Sequence, residues 1–191
     1  MPDGTYTVKM IKGKETYESK VSLVPDPRSK ATAEDRRLQR ETVLQLYADL
    51  ERMTMTVESI ADARDQARAR AEKLPKGDAL RKRLEAFGDA MEAQRGALVS
   101  TRESESGISG DEKLREELST LYGNVNSYDG RPTESQVSRM GVLRADLEAA
   151  YKKFGAAADK EIAALNPQLA GKKLDPIVKL TPEEWAKRTR Q

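Results

Sequence analysis

The sequence predicts a mainly α fold: an antiparallel up-down-up-down four-helix bundle with an N-terminal β-hairpin and an extended C-terminal tail ending in a short helix. Three observations carry this. Val43, Leu46, Leu50, Met53, Val57, Ile60, Arg64, Ala67, Ala71 and Leu74 are spaced alternately three and four apart, and all but Arg64 are apolar. Three further amphipathic stretches follow across short connections, which favours antiparallel neighbours. Charged residues make up 35% of the chain and aromatics 5%, a balance suited to thin apolar seams under charged outer faces. The competing arrangement is a helical hairpin that dimerises, but four separate stripes in one chain favour the monomeric bundle.

The chain divides into a hairpin over 1–28, a bundle over 32–166 and a tail with a short helix over 167–191. In the hairpin, Tyr6, Val8 and Met10 alternate with Thr5, Thr7 and Lys9. Lys12-Gly13-Lys14 supplies the turn, and Tyr17, Ser19, Val21 and Leu23 alternate on the return. Pro25-Asp26-Pro27 closes the pair, because proline cannot donate to a ladder. A lone two-stranded hairpin is marginally stable, so it is expected to pack on the bundle end or on a further sheet.

Thr32 is a good N-cap for the first helix, with Asp35 at N3 and Glu34 beside it. At 1.5 Å per residue that helix reaches roughly 60 Å, and its apolar stripe requires cover from other helices. Pro75-Lys76-Gly77-Asp78 ends it and starts the next, whose stripe is Leu80, Leu84, Phe87, Met91 and Leu98 with polar Gln94 in one seam position. Glu103 to Gly110 reads as a loop. Leu114, Leu118, Leu121, Val125 and Tyr128 form a third stripe, and Asp129-Gly130-Arg131-Pro132 a turn. Thr133-x-x-Gln136 is a capping box. The fourth helix then carries Val137, Met140, Leu147, Tyr151, Phe154, Ala158, Ile162 and Leu165, and is expected to stop at Asn166-Pro167. Leu174 to Val178 reads as extended, and Thr181-Pro182-Glu183-Glu184 as the cap of a last helix through Trp185. The two long helices, first and fourth, are expected to overhang the others at the end where hairpin and tail both lie.

Composition also excludes chemistry. The chain has neither Cys nor His. That removes thiolate catalysis, imidazole zinc ligation, Ser-His-Asp catalysis and the Glu-x-x-His di-iron site. No cofactor or metal is called for, and no enzyme motif is present. A net charge of +2 from 34 basic and 32 acidic residues gives no electrostatic case for nucleic acid. No apolar run approaches the roughly 18 residues of a membrane span. Met1-Pro2-Asp3-Gly4 leads straight into strand-like sequence with no signal peptide, as in a cytoplasmic protein or a fragment.

The run from Gly4-Thr-Tyr-Thr-Val-Lys-Met through Lys12-Gly-Lys to Val21-Ser-Leu-Val-Pro-Asp-Pro-Arg28 resembles a recurring segment of large secreted bacterial proteins. These are the BNR-repeat, sortilin-like β-propeller proteins, often labelled glycosyl hydrolases. Arg131-Pro132-Thr133-x-x-Gln136 and Leu165-Asn166-Pro-Gln-Leu169 look like the C-terminal region of that family. The shared motifs are turns, strand ends and caps, so the resemblance implies position within a larger protein rather than an activity. It implies an extracellular or periplasmic location, and a hairpin that is the last part of a β-sandwich. No catalytic residue is carried over, because no propeller lies within this chain.

Candidate sites are few. Glu103/Glu105 and Asp111/Glu112 are acidic pairs, but they lack calcium-loop spacing and suit a solvated loop or a helix N-terminus. The basic run Arg64 to Arg70 is offset by Asp62, Asp65 and Glu72, as on a charged outer face. Trp185 suits an anchor on the bundle or hairpin. Arg64 and Arg144 each interrupt an apolar seam, and an up-down-up-down bundle would bring them into one layer with Asp89, flanked by Glu85 and Glu92. That layer would fix register or bind an anion; alternatively the helical period drifts off the seam and both arginines snorkel outward. Two functions stay open. One is a non-catalytic interaction or scaffolding module contacting a protein partner or the rest of its own polypeptide. The other is a freestanding cytoplasmic adaptor binding a partner helix.

Overall fold

The computed structural model describes residues 3–100 and 111–189; the expected loop with Glu103 and Glu105 lies outside the described residues. The fold is mainly helical with an N-terminal two-stranded antiparallel hairpin. Strands β1 (Gly4–Lys12) and β2 (Glu15–Leu23) pair from Gly4↔Leu23 to Lys12↔Glu15. Gly13 takes φ +63° at the turn, a left-handed position that glycine adopts without steric cost. Directly paired residues share a face, so Tyr6/Val21, Val8/Ser19 and Met10/Tyr17 line one side of the ribbon.

Five helices follow: α1 (Ala33–Glu72), α2 (Ala79–Leu98), α3 (Leu114–Asn126), α4 (Glu134–Gly171) and α5 (Pro182–Thr189). The expected caps form. Thr32 and Asp35 exchange hydrogen bonds as a capping box on α1, and Thr133 and Gln136 do so on α4. The Asp78 carboxylate accepts from the Leu80 N–H at 2.8 Å at the start of α2.

The helices do not alternate in direction as expected. Asp49–Arg144 and Arg52–Glu148 pair α1 with α4, and Asp35 of α1 pairs with Arg131 in the turn just before α4. Both numbers rise together, so α1 and α4 run parallel. Against α1, α2 runs the other way: Arg64 meets Glu92 and Arg68 meets Asp89. So does α3, whose Val125 carbonyl accepts from the Gln39 amide at 2.9 Å. Hence α2 covers the C-terminal half of α1 and α3 covers the N-terminal half. Together they make one descending rod broken into two pieces between two long ascending ones. The break permits this: α2 and α3 have 20 and 13 residues against 40 for α1, so neither alone spans it and the two in line cover most of it.

The core runs the length of this arrangement. Leu46, Met53, Ile60, Ala63 and Ala67 of α1 meet Leu84, Phe87 and Met91 of α2, Leu118 and Val125 of α3, and Leu147, Phe154 and Leu165 of α4. Each large side chain contributes about 1.5–3 kcal/mol on burial. Leu50 and Val57, expected in the seam, are only partly buried at its border. Val137 and Tyr151 are exposed, and Leu143 and Leu169 take core positions instead. A second buried stripe on α1 is polar: Thr42, Asp49, Thr56 and Ser59. The two threonines and the serine satisfy themselves by donating to carbonyls four residues back, at 2.8–2.9 Å.

Helix α4 does not stop at Asn166. It runs through Pro167 to Gly171, because one lost backbone bond near the end is offset by burying Leu169 completely. The end is a Schellman motif: Leu174 N–H donates to the Leu169 carbonyl and Lys173 N–H to that of Ala170, both at 3.0 Å. Lys173 holds φ +58° there. This reversal sends the tail back along α1, so hairpin and tail leave the bundle at opposite ends, not together. The tail is gripped through its backbone. Asn166 bonds both the N–H and C=O of Ile177, Gln66 does the same for Val178, and Arg70 reaches the carbonyls of Asp175 and Pro176. Ile177 and Leu180 are buried, and Arg188 of α5 pairs with Asp62.

Candidate functional site

The three residues expected to form one polar layer do not meet. Arg64 pairs with Asp65 and Glu92 on the α1–α2 side. Arg144 pairs with Asp49 on the α1–α4 side. Asp89 pairs with a different arginine, Arg68, at 3.2 Å. The layer required antiparallel α1 and α4; in the parallel arrangement Arg144 stands level with Asp49, fifteen residues short of Arg64. Both arginines leave the seam for its edge, where their stems cover apolar surface and their heads find carboxylates. The hydrogen bonds that Arg64 donates to Asp65 and Glu92 raise its pKa further above its usual value. Arg95, and then Arg64, hold the Glu92 carboxyl down at about 2.

The other candidates are likewise absorbed by the fold. Within the basic run, Arg64, Arg68 and Arg70 all have partners. Asp111 lies 3.7 Å from Lys113. Trp185 is half-buried against the bundle and donates through Nε1 to Glu58. Among the described residues, no group of three or more carboxylates is placed to hold a metal ion. No described helix is long and apolar enough to cross a membrane.

What remains as a site is surface. The hairpin lies beyond the bundle, and no residue of its strands is buried. Its apolar side is open: Val8 is 51% exposed, Met10 56%, Tyr17 48% and Val21 44%. An ion pair from Asp3 to Arg36 at 3.2 Å ties the foot of the hairpin to α1. A nine-residue two-stranded ribbon presents about 30 by 10 Å per face. Two such faces together would bury roughly 600 Å², well under the 1,200–2,000 Å² of a stable interface. The face therefore suits addition to a larger body better than pairing with itself. Both ribbon edges also carry unpaired backbone groups.

At the foot of the hairpin a groove of about 510 Å³ opens between α1 and α3, beside Arg36, Arg40, Val43, Leu44 and Tyr128. A second hollow lies farther along, where Tyr47 and Leu50 of α1 face Tyr122 of α3 and Trp185 of α5. Leu44 and Tyr47 are more than half exposed. Sequence reasoning missed both this groove and the buried Asp49. The signal for Asp49 was present: Thr42, Asp49, Thr56 and Ala63 recur every seven residues, one position ahead of the apolar seam. Comparison of this chain with protein-family models, with curated proteins and with solved structures finds no match.

Proposed function

We propose that this chain is a non-catalytic interaction or scaffolding module whose hairpin joins it to a neighbouring β-domain. In the reading suggested by the resemblance to sortilin-like propeller proteins, that neighbour belongs to the same secreted polypeptide. The single observation that carries it is the open apolar face formed by Val8, Met10, Tyr17 and Val21. An apolar ribbon with two open edges is poorly suited to stand alone in water and well suited to extend a sheet. The absence of His and Cys from the sequence agrees with a role without chemistry of its own. The test is the reading frame upstream of Met1. An open frame encoding β-domains and a secretion signal is expected; an in-frame stop codon immediately before Met1 would overturn the reading.

A second reading draws on the α1–α3 groove. Val43, Leu44, Tyr47, Leu50 and Tyr122 offer an amphipathic helix an apolar channel. A freestanding helical adaptor would use that channel, and the stop codon that defeats the first reading supports this one.

A further inference from the structure

The outer side of the α1–α4 seam is a groove of which the protein fills only half with its own chain. Over the C-terminal half lies the extended tail, with Ile177 1% and Leu180 6% exposed. It is held as a bound peptide would be. The Gln66 amide accepts from the Val178 N–H at 2.9 Å and donates to the Val178 carbonyl at 2.7 Å. Asn166 does the same for Ile177 at 2.8 and 3.0 Å. The ion pairs Arg144–Asp49 and Arg52–Glu148 then cross the seam. Beyond them the same two helices leave a groove of about 540 Å³ open, lined by Leu38, Thr42, Gln45, Val137 and Met140. Val137 is 46% exposed in it.

The open half repeats one feature of the filled half. Gln45 stands 21 residues before Gln66, three heptads, so it lies on the same side of α1, displaced by about 60° around the helix. It lines the groove, is itself exposed, and has no hydrogen-bond partner within the described residues. The rim carries the carboxylates Glu41 and Glu134; Glu41 is shared with Arg37, and the rim's cation Arg131 is engaged by Asp35, which leaves Glu134 as the carboxylate without an ion pair among the described residues. The segment that fills the other half is net basic, with Lys172, Lys173 and Lys179 against the one carboxylate Asp175, around Leu174, Ile177 and Leu180. From Leu38 to Gln45 the groove runs about 11 Å, room for three or four extended residues.

We propose that the open half docks an extended, lysine-flanked apolar segment of a partner polypeptide, gripped through its backbone by the Gln45 amide as Gln66 grips Val178. The site is separate from the hairpin, and its failure would leave the hairpin reading standing. The probe is a synthetic copy of residues 172–181, Lys-Lys-Leu-Asp-Pro-Ile-Val-Lys-Leu-Thr, titrated into the full chain carrying methyl-labelled methionine. Met140 reports the open half and Met55 the half already filled by the tail. The expected result is a saturable shift of the Met140 signal with Met55 and Met10 unmoved. Gln45→Ala, on an exposed side chain and checked by thermal melting, is expected to weaken binding about tenfold. Val137→Glu should weaken it at least as much. No saturable shift, a shift of Met55 in place of Met140, or unchanged affinity in Gln45→Ala would each overturn the proposal.

Discussion

Arg144 of α4 grips Asp49 of α1 with two nitrogens, Nη2 at 2.8 Å and Nε at 3.1 Å from the same carboxylate oxygen. Asp49 is 8% exposed, so the pair lies at the edge of the core. It records that the two long helices ascend together. Arg144→Leu leaves a buried carboxylate without its cation and is expected to cost about 1–3 kcal/mol in urea melts. Asp49→Leu combined with Arg144→Leu should recover most of that loss. A double variant no better than the single one would show that the pair does not act as a unit.

Arg64 differs, because its partner Asp65 is 62% exposed and its partner Glu92, 34% exposed, keeps Arg95 as a second cation. Losing such pairs costs little. Arg64→Leu is expected to change stability by less than about 1 kcal/mol and to keep a single sharp transition. Broad melting would instead point to a role in fixing helix register.

The α1 seam can be read residue by residue. Leu46 is wholly buried, and Leu46→Ala should cost roughly 2–5 kcal/mol. Thr54 is exposed, and Thr54→Ala should cost less than about 1 kcal/mol. Equal losses in denaturant melts would contradict the observed register.

The α1 cap makes part of the stability pH-dependent. Hydrogen bonds from Thr32, and then from Arg131, hold the Asp35 carboxyl at about 2 instead of 3.8. A carboxyl lowered in the folded state stabilises above its unfolded pKa, and that contribution fades as pH falls from about 4 through about 2. Thermal melts between pH 6 and pH 2 should show Asp35→Asn destabilised at the upper end and converging on the unsubstituted protein at the lower. A constant difference across the range would rule this linkage out.

Lys173 closes the α4 Schellman motif at φ +58°, where a side chain is strained and glycine is not. Lys173→Gly is expected to raise stability by about 0.5–1 kcal/mol, measured by urea melts. A loss would mean that the lysine stem contributes more than its backbone costs.

The sequence by itself determined the local elements: the hairpin and its Gly13 turn, the Thr32 and Thr133 caps, the break at Pro75 to Asp78, and the apolar α1 stripe. Each depends on neighbours within a few residues, through side-chain alternation, capping hydrogen bonds and helical period. It did not determine the direction of α4 relative to α1. An apolar stripe is equally buried by a parallel or an antiparallel neighbour, and only the way α2 and α3 share the length of α1 decides between them. The same gap hid the candidate sites. Asp49 became legible only with Arg144 beside it, and Gln66 and Asn166 became peptide clamps only when the turn at Lys173 laid the tail between two helices. The stop expected at Pro167 failed for the same reason, since local cost pointed to an end and burial of Leu169 against the other helices outweighed it.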